Sequence, residues 1–99
     1  MKKYMIDISL PETLSDEFLA LIPDQQKVVS ELFENGQITN YALNTENTRL
    51  WVTISANSEA EVWETLGKFP LISFMDVNIY ELAFHHRAIL TAMPSFSLN

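Results

Sequence analysis

Apolar and polar residues alternate along residues 3–10, KYMIDISL, with Tyr4, Ile6, Ile8 and Leu10 on one side and Met5, Asp7 and Ser9 on the other. That period of two predicts a half-buried strand, closed by Pro11. Residues 15–35 change period. Phe18, Leu21, Ile22, Val28, Val29, Leu32 and Phe33 form a stripe at 3.6-residue spacing, which predicts a helix. Ser15 suits its N-cap, Asp16 and Glu17 suit its positive end, and Leu14 can staple onto Leu19. Asn35-Gly36 supplies a stop tolerant of positive φ. Pro23 lies inside this stretch and predicts a kink or two abutting helices, because it lacks a backbone donor.

Residues 37–45, QITNYALNT, predict a second strand, the polar TENT at 45–48 a turn, and residues 49–56, RLWVTISA, a third strand. Ser58-Glu59-Ala60-Glu61 reads as a capping box, opening a second helix that carries Val62, Trp63, Leu66 and Phe69. Lys68 suits its C-terminal end and Pro70 stops it. Residues 73–83 alternate again and predict a fourth strand. RAILTAM reads as a short helix before Pro94. The order β-α-β-β-α-β is the split βαβ, ferredoxin-like plan of an α+β fold, with both helices on one face of a four-stranded antiparallel sheet. One domain is expected over 1–86, followed by a tail over 87–99.

Turning the aliphatic sides toward the helices leaves a second sheet face. It carries Met5, Asp7 and Ser9; Trp51, Thr53 and Ser55; Phe74, Asp76, Asn78 and Tyr80. Large aromatics alternating with short hydrogen-bonding groups suit a small-molecule pocket that a second subunit closes. The plainer reading is equally open: an antiparallel sheet often leaves one face polar, with Trp51 and Phe74 as dimer contacts.

Composition narrows the chemistry. The chain has 99 residues, 13 acidic and 6 basic, for a formal net charge of -7. Such a balance argues against nucleic acid and against an anionic membrane surface. No apolar run reaches membrane-spanning length, and MKKYMIDISL has no cleavable-signal pattern, so a soluble cytoplasmic protein is expected. There is no cysteine, which leaves no thiolate nucleophile or sulfur-bound metal. His85 and His86 point to opposite faces if extended, so they cannot easily share an ion, and no metal is expected. The two glycines, Gly36 and Gly67, form no phosphate-cradling loop. At 47% hydrophobic residues, the chain has apolar surface to spare for a partner subunit. The tail segment AILTAMPSFSL is apolar enough to be expected on a neighbouring subunit.

The capping box, the run FPLISFMDV (69–77), the strand behind it, the histidine that closes it and IDISLP (6–11) together resemble muconolactone isomerases. The resemblance runs from about Tyr4 to His85. It implies a dimeric α+β barrel, made when two ferredoxin-like sheets pack face to face, and assembly into larger rings. It also implies a shift of a double bond in an unsaturated lactone by proton transfer, without metal or organic cofactor, as in the degradation of aromatic compounds. The family's pocket is expected between sheet and helices, near the subunit contact. By position, Asp7 matches the acid of the first strand, Lys27 a basic residue of the first helix, Asp76 the acid after Met75, and His85 the histidine ending the last strand. Gln26, Asn40, Leu43, Phe84 and Pro23 depart from the family's pattern.

His85 is then the natural base, since imidazole titrates near neutrality; Asp7 and Asp76 can serve if burial raises their pKa values. Lys27 is expected to bind a carboxylate or polarise an oxygen, and Trp51, Phe74, Asn78 and Tyr80 to line the substrate. A second hypothesis is a non-catalytic oligomer that binds a small apolar or lactone ligand. A third is cofactor-free oxidation in a pocket lined by Trp51, Asn78 and His85.

Overall fold

The computed structural model describes residues 1–84. His85, His86, the expected RAILTAM helix and the docking of residues 87–99 on a neighbour lie outside the described residues.

Within them the order is β1 (Lys2–Ser9), α1 (Asp16–Glu34), β2 (Ile38–Leu43), β3 (Arg49–Ala56), α2 (Glu59–Leu66), a 3₁₀ turn (Ile72–Phe74) and β4 (Asp76–Glu81). The strands form one antiparallel sheet in the order β2-β3-β1-β4. This is the ferredoxin-like α+β fold that the element order predicts.

The alternation of β1 is borne out: Tyr4, Ile6 and Ile8 are buried. They join Leu50, Val52 and Ile54 of β3, Val29 and Leu32 of α1, and Val62 and Leu66 of α2 in one core between sheet and helices. The Ser15 hydroxyl accepts from the Phe18 N–H at 3.1 Å, so the expected cap opens α1. At the other end Gly36 has φ +74°, and the Gly36 and Gln37 N–H groups donate to the Phe33 and Leu32 carbonyls. This is a Schellman stop, which needs the left-handed residue that glycine provides at no steric cost.

Four details differ from the sequence reading. Helix α1 runs unbroken through Pro23, where a kink or break is expected. Pro23 is exposed, so the Leu19 carbonyl that loses its partner can turn to water instead of being stranded in the core. In the second capping box Ser58 Oγ accepts from the Glu61 N–H, but Glu61 Oε1 accepts from the N–H of Asn57 at 2.9 Å, one residue before the cap. Trp63 and Phe33, expected in the apolar stripes, are 48% and 43% exposed, because each stands at the margin of its helix's buried stripe. Finally, β4 begins at Asp76, not at residue 73. The Phe74 and Met75 N–H groups donate to the carbonyls of Leu71 and Ile72, continuing a turn that Pro70 begins.

Strand β2 holds an irregularity that decides where its side chains point. Ile38 pairs with Ile54, yet Asn40 pairs with Thr53. One extra residue, Thr39, is thus inserted on β2, a β-bulge. It puts Ile38, Tyr41 and Leu43 on the helix side, opposite Ile54, Val52 and Leu50, while Asn40 and Ala42 share the open side.

Candidate functional site

The register places the mixed face residue by residue. One row across the sheet reads Asn78, Asp7, Trp51, Ala42; the next reads Tyr80, Met5, Thr53, Asn40; a third reads Asp76, Ser9, Arg49. Asp7, Asp76, Trp51, Asn78 and Tyr80 therefore share one face, as the alternation predicts. Phe74 does not. It belongs to the 3₁₀ turn and packs edge-on against Phe18 of α1, with ring centroids 5.4 Å apart. Lys27 is exposed on α1, away from Asp7 and Asp76.

The sequence reading missed a cation on this face. Arg49 Nη1 lies 3.3 and 3.2 Å from the two Asp7 carboxylate oxygens. The two residues are diagonal neighbours across β1 and β3, where long side chains meet. Arg49 has the same parity as Trp51, Thr53 and Ser55, and that signal was available in RLWVTISA. Lys3 joins the face at its far end, where its Nζ donates to Ser55 Oγ. Among the described residues no cluster of three His, Asp or Glu stands close enough to hold a metal ion. No helix among them is long and apolar enough to cross a membrane.

A cavity lies on the other side of the sheet. It has a volume of about 350 Å³ and sits between α1 and the ends of β1, β3 and β2, beneath Leu10 and Leu14. That is within the usual range for small-molecule sites. Its hydrocarbon wall comes from residues such as Phe18, Ile22, Leu50, Leu71 and Met75, and its polar groups are Gln25, Gln26, Tyr41 and Asn47. Because β-strand neighbours point to opposite faces, Asp7 and the cavity are separated by the sheet. A site between sheet and helices is what the family resemblance implies. The reading of the mixed face put the pocket on the opposite side.

Two polar groups of the cavity are held in place. Gln25 is 3% exposed, rare for an amide, and both ends of it are engaged. The Leu71 N–H donates to Gln25 Oε1 at 3.2 Å, and Gln25 Nε2 donates to Tyr41 Oη at 3.3 Å. The Tyr41 ring is braced edge-on by Phe69, with centroids 6.4 Å apart. Tyr41 Oη thus accepts from Gln25 and keeps its own proton to donate. Burial pushes the Tyr41 phenol above its ordinary pKa; the Gln25 hydrogen bond pulls the other way and is the smaller effect. The group is therefore a neutral donor at neutral pH.

That shift has a consequence for stability. The unfolded phenol ionises near pH ~10, before the folded one, so above that pH the unfolded chain holds fewer protons. Stability from this group is complete below the unfolded pKa and is lost as pH rises through the folded one. Urea midpoints measured from about pH 9 to 11 should fall more steeply for the natural protein than for Tyr41→Phe. Parallel slopes would show that Tyr41 is not the group responsible.

Fold and cavity together define a small ferredoxin-like α+β protein with a largely apolar cavity between its first helix and its sheet. Residues 3–88 match the muconolactone delta-isomerase family, and the chain belongs to it. A comparison with curated proteins finds no match.

Proposed function

We propose that this protein is a cofactor-free isomerase that shifts a double bond in a small unsaturated lactone or related cyclic acid, held in the cavity between α1 and the sheet. The observation that carries the reading is the oriented Tyr41 hydroxyl in an apolar cavity, in a chain of this family. Removing a proton from the carbon skeleton of an unsaturated lactone spreads negative charge onto the carbonyl oxygen. A fixed neutral donor in a low-dielectric wall stabilises that charge. His85 is the proposed base, taking the proton from one carbon and returning it to another. Asp7 and Asp76 stand across the sheet and are not placed to act on a ligand held here. In this reading Asp7 serves with Arg49, Trp51, Asn78 and Tyr80 on a face that packs against a second copy.

A second reading, binding without turnover, draws on one observation. The described wall of the cavity offers neither carboxylate nor imidazole, and β4 ends opposite Tyr4, at the other end of the sheet from the cavity. Catalysis therefore requires the chain after Glu81, of this copy or of a second, to bring His85 back to the Ser9 end.

Proton NMR of muconolactone with the purified protein in deuterated water separates the two. Product formation or protein-dependent deuterium uptake, abolished in His85→Ala, is the expected result. Neither turnover nor exchange would leave the binding reading in place. A solution mass of one chain under the same conditions would remove the face-to-face pairing.

A further inference from the structure

We infer that the cavity between α1 and the sheet takes a lactone or cyclic enone with an extended hydrocarbon substituent, its ring carbonyl at Tyr41 and its apolar arm laid along α1 toward Phe18 and Leu14. The inference rests on the cavity being the ligand site proposed above, and it specifies the ligand class.

Polar and apolar groups are unevenly placed along the cavity. Gln25, Gln26 and Tyr41 stand at one end, where Gln25 Nε2 donates to Tyr41 Oη at 3.3 Å. From there the α1 wall runs back through Ile22 to Phe18, a rise of about 12 Å between Gln26 and Phe18. The sheet wall follows the same line, since Leu43 comes after Tyr41 on the same side of β2, opposite Leu50. Leu14 precedes the Ser15 cap, and Met75 follows the Phe74 ring that packs on Phe18, so both belong to the far end. Asn47, on the turn between β2 and β3, is polar but exposed. A single-ring lactone hydrogen-bonded to Tyr41 covers the Gln25 end and leaves most of this hydrocarbon unmatched. The volume of about 350 Å³ falls among sites that bury drug-sized ligands. Leu19 and Leu43 line the cavity and are 47% and 50% exposed. An apolar arm lying beside them takes its own surface and theirs out of water, which favours seating it there. Muconolactone, with its short side chain, then occupies only the Tyr41 end.

The γ-methyl, γ-propyl and γ-pentyl butenolides make a graded series, because they share one lactone ring and differ only in the length of the arm. Titration of the full chain at neutral pH, followed by amide NMR, reads both affinity and place. The Leu71 N–H, bonded to Gln25, reports occupancy of the Tyr41 end. The expected result is a shift at Leu71 with every member and an affinity that rises about threefold per methylene, so that the pentyl compound binds at least tenfold tighter than the methyl one. Ile22→Phe narrows the path between the two ends, and Leu14→Ala removes hydrocarbon from the far end. Each should leave the methyl compound bound as before and cut the gain along the series severalfold. Leu14 is only half-buried and lies outside α1, so that variant decides the matter if Ile22→Phe fails to fold. A flat series means that something else fills the far end, and it overturns the inference. So does a gain unchanged in Leu14→Ala, binding that leaves Leu71 unmoved, or absence of binding by all three probes. The graded gain without deuterium exchange on muconolactone would remove the isomerase and leave this ligand class standing. Exchange on muconolactone with a flat series would do the reverse.

Discussion

Replacing Phe69 by alanine should cost about 3–5 kcal/mol, the range for deleting a buried aromatic ring. Phe69 is 1% exposed and is the largest of the fully buried side chains among the described residues. It lies in the turn after α2, where its N–H donates to Leu66 and its carbonyl accepts from Ile72. The ring is thus fixed by backbone on both sides, and the space it leaves cannot close by a simple shift. A domain of this size has roughly 5–15 kcal/mol in all, so the variant would lose a large share of its stability. With each kcal/mol worth roughly 4–8 °C in a domain of 60–100 residues, the thermal midpoint should drop by well over ten degrees. Phe33→Ala is the control. Phe33 is 43% exposed, and its loss should cost about 1 kcal/mol or less. A loss under about 1.5 kcal/mol for Phe69→Ala would mean that the turn relaxes into the gap, and that the brace behind Tyr41 is not rigid.

The contrast between Phe69 and Phe33 shows how far the sequence could be read. Both fit an apolar pattern, and periodicity alone gives them equal standing. What separates them is the angle of each helix on the sheet, which no local pattern encodes. The strands were more legible. Arg49–Ala56 is found with the bounds predicted, and β1 buries the side its alternation selects, because a period of two has only two answers. The failures come where the period breaks. Extending the alternation of β4 back to Phe74 put that ring on the open face. The turn after Pro70 instead carries it to the helix side, against Phe18.

The site was less legible than the fold, for two reasons of the same kind. Alternation counted from Ile38 puts Tyr41 on the open face, and only the bulge at Thr39 returns it to the cavity. No residue type in QITNYALNT marks that bulge. Gln25 carries no such signal either, because glutamine in a helix is ordinarily a surface residue. Its partners, Tyr41 and the Leu71 N–H, are 16 and 46 residues away in sequence. Arg49 was different. Its place beside Asp7 follows from parity alone, once the pairing of the first and third strands is assumed.

Removing the Tyr41 hydroxyl, as Tyr41→Phe, should lower the rate of deuterium exchange and turnover by about a hundredfold to a thousandfold, the usual loss when one donor to a developing oxyanion is deleted. The effect should fall on kcat more than on KM. The carbonyl of the bound lactone accepts only a modest hydrogen bond, whereas the enolate oxygen formed on proton removal carries most of a charge, so the donor matters chiefly in the transition state. A purely structural role would look different. The substitution also leaves Gln25 Nε2 without its acceptor, which costs about 1–3 kcal/mol of stability. A variant that is merely loosened should be rescued by cooling or by saturating ligand, and the loss of a donor should not. Gln25→Leu adds a test of the arrangement. It keeps the phenol but frees it to rotate, so it should give an intermediate rate, with the Tyr41 titration shifted from its natural position. If Tyr41→Phe turns over at the natural rate, the phenol does not carry the charge. Proton-transfer chemistry, if present, would then have to be sought on the opposite face, where Asp7 and Arg49 face each other beside Trp51 and Asn78.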